Sequence, residues 1–259
     1  LGGGSALSGN GSFQGTALAG SLALLGATTL DGITNTGQLS VQAGASVSTR
    51  GTLTNNGTLT IGGSGSQGSA ALYVVADTTL AGSGTTVLTD ANYSYVGGTG
   101  VLTVGSGHTL RGAGYVGATI ANQGKVIADG VLTVNAGGNF DNSGGAVQVA
   151  DGGTLSLSGG IFSGGTLQGL GAGSRLSGNG SFRATAMSGR LTLLGGTTLD
   201  GVSNSGLLTV DAGASASTRG TLTNNGTLTI GGSGNRGAAS LYLAADTTLA
   251  GTGTTVLTD

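Results

Sequence analysis

The stretch GTLTNNGTLTIGGSG occupies residues 51–65 and returns unchanged at 220–234. Sliding the sequence along itself by 169 residues aligns 1–90 with 170–259, and 67 of those 90 positions are identical. Residues 1–169 therefore read as one complete long unit and 170–259 as the first half of the next, within a single continuous segment. Because the chain opens inside a repeat at Leu1, it is expected to be a piece of a longer array. A shorter period runs inside the unit, carried by an apolar residue, any residue, Asn, any residue, Gly and then alternating apolar residues. It reads ITNTGQLSV (33–41), LTNNGTLTI (53–61), IANQGKVIA (120–128), FDNSGGAVQV (140–149), VSNSGLLTV (202–210) and LTNNGTLTI (222–230), in three pairs spaced by 20 residues. A second phrase, TLDG, TLAG, TLRG and TLQG at 29, 79, 109 and 166, marks other turns of the same winding. Periods of about 20 to 50 residues belong to solenoids, whose single repeats cannot bury a face alone and are stabilised by stacking.

Helical repeats are excluded by composition. Gly supplies 58 of 259 residues and interrupts every few positions, faces of Ala, Leu, Glu and Lys are missing, and the ten acidic residues are all Asp. Alternation with period two dominates instead. In LTNNGTLTI, Leu53, Leu59 and Ile61 alternate with Thr58 and Thr60, which describes a short strand with one buried and one wetted face. A coil of about 20 residues holding two or three such strands between Gly or Asn corners predicts an all-β right-handed parallel β-helix. Roughly 13 coils at about 4.8 Å each would make a rod on the order of 60 Å long.

The Asn at the third position of each phrase (Asn35, Asn55, Asn122, Asn142, Asn204 and Asn224) is expected to form a turn ladder rather than a ligand site. Asn tolerates turn geometry, bonds its own turn, and can pass amide hydrogen bonds from coil to coil. The Gly two residues later is expected to supply a positive φ.

Little in the sequence carries reactive chemistry. Eight basic residues are scattered singly, net charge is −2, and no basic stripe exists for nucleic acid. Without Cys there are no disulfides, thiolate metal sites or Cys nucleophiles. No apolar run is long enough for a transmembrane helix, and TALAGSLALLGATTL (16–30) is not a targeting core, since its counterpart at 185–199 carries Arg190. GSGSQG (63–68), GAGYVG (112–117) and GSGNRG (232–237) match G-x-G-x-x-G, but they lead into strand-like sequence and not into a phosphate-binding helix. His108 reads as a lone turn histidine with no acidic neighbour. A polysaccharide-cleaving site needs clustered carboxylates, yet Asp31, Asp77 and Asp90 stand apart, and Asp200, Asp246 and Asp259 repeat them. GGSGSQGSA lacks the carboxylate of a calcium roll. No enzyme activity, cofactor or metal is expected. Thr52, Thr54, Thr58 and Thr60 begin an ice-binding type of array that equivalent strands do not continue. Sequons stand at Asn10, Asn56, Asn92, Asn179 and Asn225. Tyr93 and Tyr95 either pack over a turn, the preferred reading, or form a sugar-stacking spot.

The repeated N-x-G-x-L-x-V and T-L-x-G-x-G phrases, rich in Gly, Thr, Ser and Asn and free of Cys, resemble the filamentous-haemagglutinin-like passenger regions of type V secreted adhesins. These are the two-partner secretion exoproteins and autotransporter passengers of Gram-negative bacteria. The resemblance implies a monomeric stalk on the cell surface or released from it, serving attachment, biofilm contact or virulence. Its implied partners are surface glycans, a host or neighbouring cell, and an outer-membrane transporter during secretion. The alternatives are a glycan-binding or polysaccharide-cleaving module on the same fold and an ice-binding solenoid.

Overall fold

The computed structural model describes residues 4–135, 139–231, 237–244 and 246–258. Among them there is no helix; 33 strands, every one paired in parallel, stack as a β-solenoid. Successive turns of the winding are spaced roughly 20 residues apart. Five strands (Ser46–Asn55, Ala70–Ala81, Thr109–Val116, Lys125–Val134 and Ala186–Leu193) bend round a corner and serve two faces each. The coils are unequal in length. The step to the next coil is 16 residues from Thr109 to Lys125 but 27 from Thr58 to Thr85.

Alternation explains the packing. In Thr58–Gly62, Leu59 and Ile61 are buried while Thr58 and Thr60 are partly exposed. In register above and below Leu59 lie Leu39 and Thr86, so inward side chains stack on inward side chains along the axis. One continuous core of Leu, Val, Ile and Ala results, and it includes Phe140, Phe162 and Phe182, which stack with ring centroids 4.8 and 5.4 Å apart. Each fully buried Leu or Ile contributes about 1.5–3 kcal/mol, so no coil needs a large hydrophobic residue count. It needs the coil beneath it. The outward Thr array does break: the row through Thr60 runs Ser40, Thr60, Val87, Arg111.

Three faces follow one another round each turn. The first holds Ser5–Leu7, Ser21–Leu24 and Gln38–Gln42; the second holds Gly11–Gln14 and Ala27–Asp31; the third holds Ala17–Leu18 and Thr34–Asn35. Register along the first face runs Ala6, Ala23, Ser40, Thr60, Val87, Arg111, Ile127, Gln148, Gln168, which is eight turns. The counterpart of Ala6 one long unit later is Arg175, and it lies on the next strand, on the second face. The 169-residue unit is therefore eight and one-third turns, and equivalent residues of the two copies lie one face apart.

Two loops leave the stack at the corner before the second face. Residues 63–69 form a small turn closed by an antiparallel bridge between Ser64 and Gly68, and residues 90–93 form a tight turn one coil further on. The first rests on the second: Ala70 N–H donates to Tyr93 O at 2.9 Å, and a Cβ on Gly63 would meet Tyr93 backbone.

Candidate functional site: a tyrosine-lined groove on the second face

Three pairs of Asn come together as two-rung ladders. The Asn35 amide donates to Asn55 Oδ1 at 2.7 Å, Asn122 to Asn142 at 2.7 Å, and Asn204 to Asn224 at 2.8 Å. All six side chains are buried. Each lower Asn also accepts from the N–H of the Gly two residues on, at 3.1 Å, which closes its own turn. The upper rungs end on carbonyls of the following coil: Asn55 donates to Thr85 O at 3.0 Å and Asn224 to Thr254 O at 2.9 Å. The amides are consumed by the fold and present no free group to a ligand. The expectation about the neighbouring Gly is corrected. Gly37, Gly57, Gly124, Gly206 and Gly226 do not have positive φ. They are glycines because the backbone of the coil beneath comes too close: a Cβ on Gly57 would stand 2.0 Å from Gly37 O.

The carboxylates are likewise engaged by the scaffold. Asp31 pairs with Arg50 at 2.9 Å, Asp129 with Arg111 through two contacts of 2.7 and 2.9 Å, and Asp200 with Arg183 at 3.0 Å. Asp77, Asp141 and Asp151 accept backbone N–H groups of Val101, Ser143 and Gly173. Among the described residues no three His, Cys, Asp or Glu gather as metal ligands. An open depression of about 820 Å³ on the first face holds Arg111 and Asp129, whose charges are spent on each other.

The sequence reads His108 as a lone turn histidine, and the structure adds where its ring goes. Its backbone does follow a turn, with its N–H donating to Gly105 O at 2.9 Å, but its ring points into the core and is 1 % exposed. Nε2 lies 2.9 Å from Thr86 Oγ1 and Nδ1 has no protein partner. Burial lowers its pKa to about 4, so the ring is neutral near pH 7. Of the remaining sequence features, GSGNRG (232–237) lies almost wholly, and Asp259 wholly, outside the described residues. The sequon residues Asn10, Asn56, Asn92, Asn179 and Asn225 are all exposed.

Among the described residues the surface has one aromatic concentration. Tyr73, Tyr95 and Tyr115 stand on three consecutive coils of the second face, with centroids 5.8 Å (tilted by 59°) and 5.2 Å (stacked, 15°) apart. They point outward, opposite to the buried Phe residues, and Tyr73 is 38 % exposed. Gly97 makes the arrangement possible: the Tyr95 ring covers it, and a Cβ there would fall 2.2 Å from Cε1. Tyr115 repeats the pattern over Gly117, and the Asn135 amide donates to its hydroxyl. Burial first, then the neighbouring Tyr115 and Tyr73, raise the Tyr95 pKa above its ordinary value and keep it a neutral phenol.

Beside the rings runs an open groove of about 590 Å³, walled by Ser69, Ala91 and Asn92 from the two corner loops, with Ala71 and Thr133 completing the lining. The wall is braced. Ser94 Oγ is buried, donates to Ile61 O at 2.7 Å and accepts from the N–H groups of Thr89 and Asp90, while Asp90 Oδ1 accepts from Asn92 and Tyr93 N–H. Of the two tyrosines singled out in the sequence, Tyr95 is in the stack and Tyr93 supports the loop. Tyr73 and Tyr115 escaped notice, although Tyr-Val-Gly at 95–97 and at 115–117, spaced by 20, is a readable signal. No family model matches this chain, and neither a curated protein nor a solved structure is similar enough to match it.

Proposed function

We propose that this chain is a stalk segment of a large bacterial cell-surface or secreted adhesin, serving attachment or biofilm-type cell contact through length, stiffness and display, and that none of its residues is catalytic. The observation that carries the reading is continuity. The second copy of the unit continues the winding of the first with no break in strand pairing: Gly169, the last residue of the first copy, pairs with Val149 below and Gly189 above. Duplicating such a unit lengthens a rod without requiring a new core or a new interface, and each added unit contributes about 40 Å (eight and one-third turns at about 4.8 Å). Scaffold use of the Asp and Asn side chains supports the same reading, as does a surface of Thr, Ser and Gly with few charges. Outer-membrane export and display on a Gram-negative surface belong to this proposal through the resemblance of the repeat phrases.

The test is length. Proteins carrying one, two and three tandem 169-residue units would be imaged as single particles. Contour length rising by about 40 Å per unit supports the stalk; units that fold back on each other, or a length that does not scale, would refute it.

A further inference from the structure

We propose that the groove beside Tyr73, Tyr95 and Tyr115 binds a neutral glycan chain. This goes beyond the stalk reading, and either can fail without the other.

Four observations converge. First, the rings lie where the core does not need them. Phe140, Phe162 and Phe182 supply aromatic stacking inside, whereas the three tyrosines lie on the outer surface, where most coils carry Thr, Ser or Gln. Second, the groove is amphipathic in the way a sugar ring is: phenyl surface for the C–H-bearing side of a pyranose, whose weakly positive hydrogens meet the negative face of the ring, and beside it Ser69, Asn92 and Thr133 to exchange hydrogen bonds with hydroxyls. Third, no charged side chain lines it. An acidic polysaccharide or a nucleic acid would find no cation there, so the complementary ligand is uncharged. Fourth, the wall is held in place by the Ser94 and Asp90 hydrogen bonds, so little ordering is required when a ligand arrives. The volume of about 590 Å³ falls in the range of small-ligand sites and suits a short stretch of oligosaccharide. A folded protein partner would need roughly 800 Å² of contact on this side, and the aromatic patch spans only three coils.

The arrangement along the axis has a further consequence. Tyr95 and Tyr115 step by one coil, about 4.8 Å, which approximates the length of one pyranose unit. A chain laid along the groove can therefore meet successive tyrosines with successive residues.

The experiment uses the whole chain. A panel of immobilised neutral glycans (glucans, mannans and galactans) and uronate-containing glycans would be screened, and any hit measured by titration with the soluble oligosaccharide. The chain has five Tyr and no Trp, so tyrosine fluorescence reports directly. Saturable binding of at least one neutral glycan is expected, weakened about tenfold by Tyr95→Ala. Asn92→Ala, which alters the exposed wall and leaves the stack intact, should weaken it severalfold. It keeps the proposal testable if Tyr95→Ala disturbs the coil. Tyr242→Ala, on another face, should change nothing. Failure of every neutral glycan to bind, preference for the uronate glycans, or binding indifferent to both Tyr95→Ala and Asn92→Ala would overturn the proposal.

Discussion

Asn55→Ala is the sharpest probe of what holds successive coils together. The Asn55 side chain is fully buried, and its amide makes three bonds: Oδ1 accepts from Asn35 Nδ2 at 2.7 Å and from Gly57 N–H at 3.3 Å, and Nδ2 donates to Thr85 O at 3.0 Å. Removing it deletes three bonds worth about 1 kcal/mol each and leaves the Gly57 N–H and the Thr85 carbonyl to bear part of their desolvation cost. Asn35 softens the loss, because its amide still reaches Gly37 O and Thr58 O at 3.3 Å. The net expectation is a destabilisation of about 3–4 kcal/mol. The adjacent Asn56→Ala is the control. That residue is exposed and only its Oδ1 is engaged, by Ser83 N–H at 3.2 Å, so about 0.5 kcal/mol is expected. Urea unfolding with a shared m-value compares the two, and amide exchange at Asn56–Thr58 and Thr85 shows whether the loss is local. Equal cost for the two neighbours would refute the claim that the ladder, and not the turn residue type, secures this corner.

Charge at inward and outward positions should separate cleanly: Leu59→Asp buries an unpaired carboxylate and should prevent stacking of that coil, while Thr60→Asp should cost under about 1 kcal/mol in the same unfolding assay. His108 predicts a pH dependence. The unfolded chain takes up a proton near pH 6.5 that the folded chain refuses until about pH 4, so stability falls as pH drops through that window, by up to about 1.4 kcal/mol per unit. His108→Met should flatten that part of the stability profile. Ala184 has φ of 48°, and its counterpart one unit earlier is Gly15 at 56°. Both donate their N–H to the equivalent carbonyl, Asp200 O at 2.8 Å and Asp31 O at 2.9 Å, so the backbone is the same and Ala184 is the strained copy. Ala184→Gly should raise the unfolding midpoint by an amount equivalent to about 0.5–1 kcal/mol.

Much of the winding is legible because it is local. Leu53, Leu59 and Ile61 alternate with Thr, and one residue of slip would turn every one of them outward, so the inward set could be read without coordinates. The Asn pairs were readable for a similar reason: their 20-residue spacing equals the local coil length at Asn35–Asn55, Asn122–Asn142 and Asn204–Asn224. What escaped depends on the coil beneath. An Asn-x-Gly phrase looks the same whether Gly is needed for φ or for clearance, and only the carbonyl of Gly37 beneath Gly57 decides. His108 lies just before Thr109–Val116, where the choice between solvent and core rests on the corner geometry. The groove is the extreme case, since its wall comes from loops that lengthen two coils and its floor from residues 73, 95 and 115 of three coils, with Tyr95 and Tyr115 in register and Tyr73 opposite Gly97.

The one-third turn left over in the long unit explains why the core is so uniform. Leu30 faces inward from the second face and its counterpart Leu199 from the third; Leu59 does so from the first and Leu228 from the second, all four buried. A duplicated unit that arrives rotated by 120° can continue the winding only if any face can stand on any other. That favours one class of inward side chain, Leu, Ile and Val, at every site. The ladders obey the same rule: Asn35 and Asn55 sit at the corner after the third face, Asn204 and Asn224 at the corner after the first. Outward residues are released from that constraint, and rotation acts on them differently. Tyr73 projects from the second face, whereas its counterpart Tyr242 projects from the third, in register with Ser217. Surface features copied with the unit are thus carried round the rod, so a ligand site that recurs with the unit would face a new direction each time. A rod with such sites could engage a glycan layer whatever its rotational orientation, with linked weak sites reinforcing one another through effective concentration.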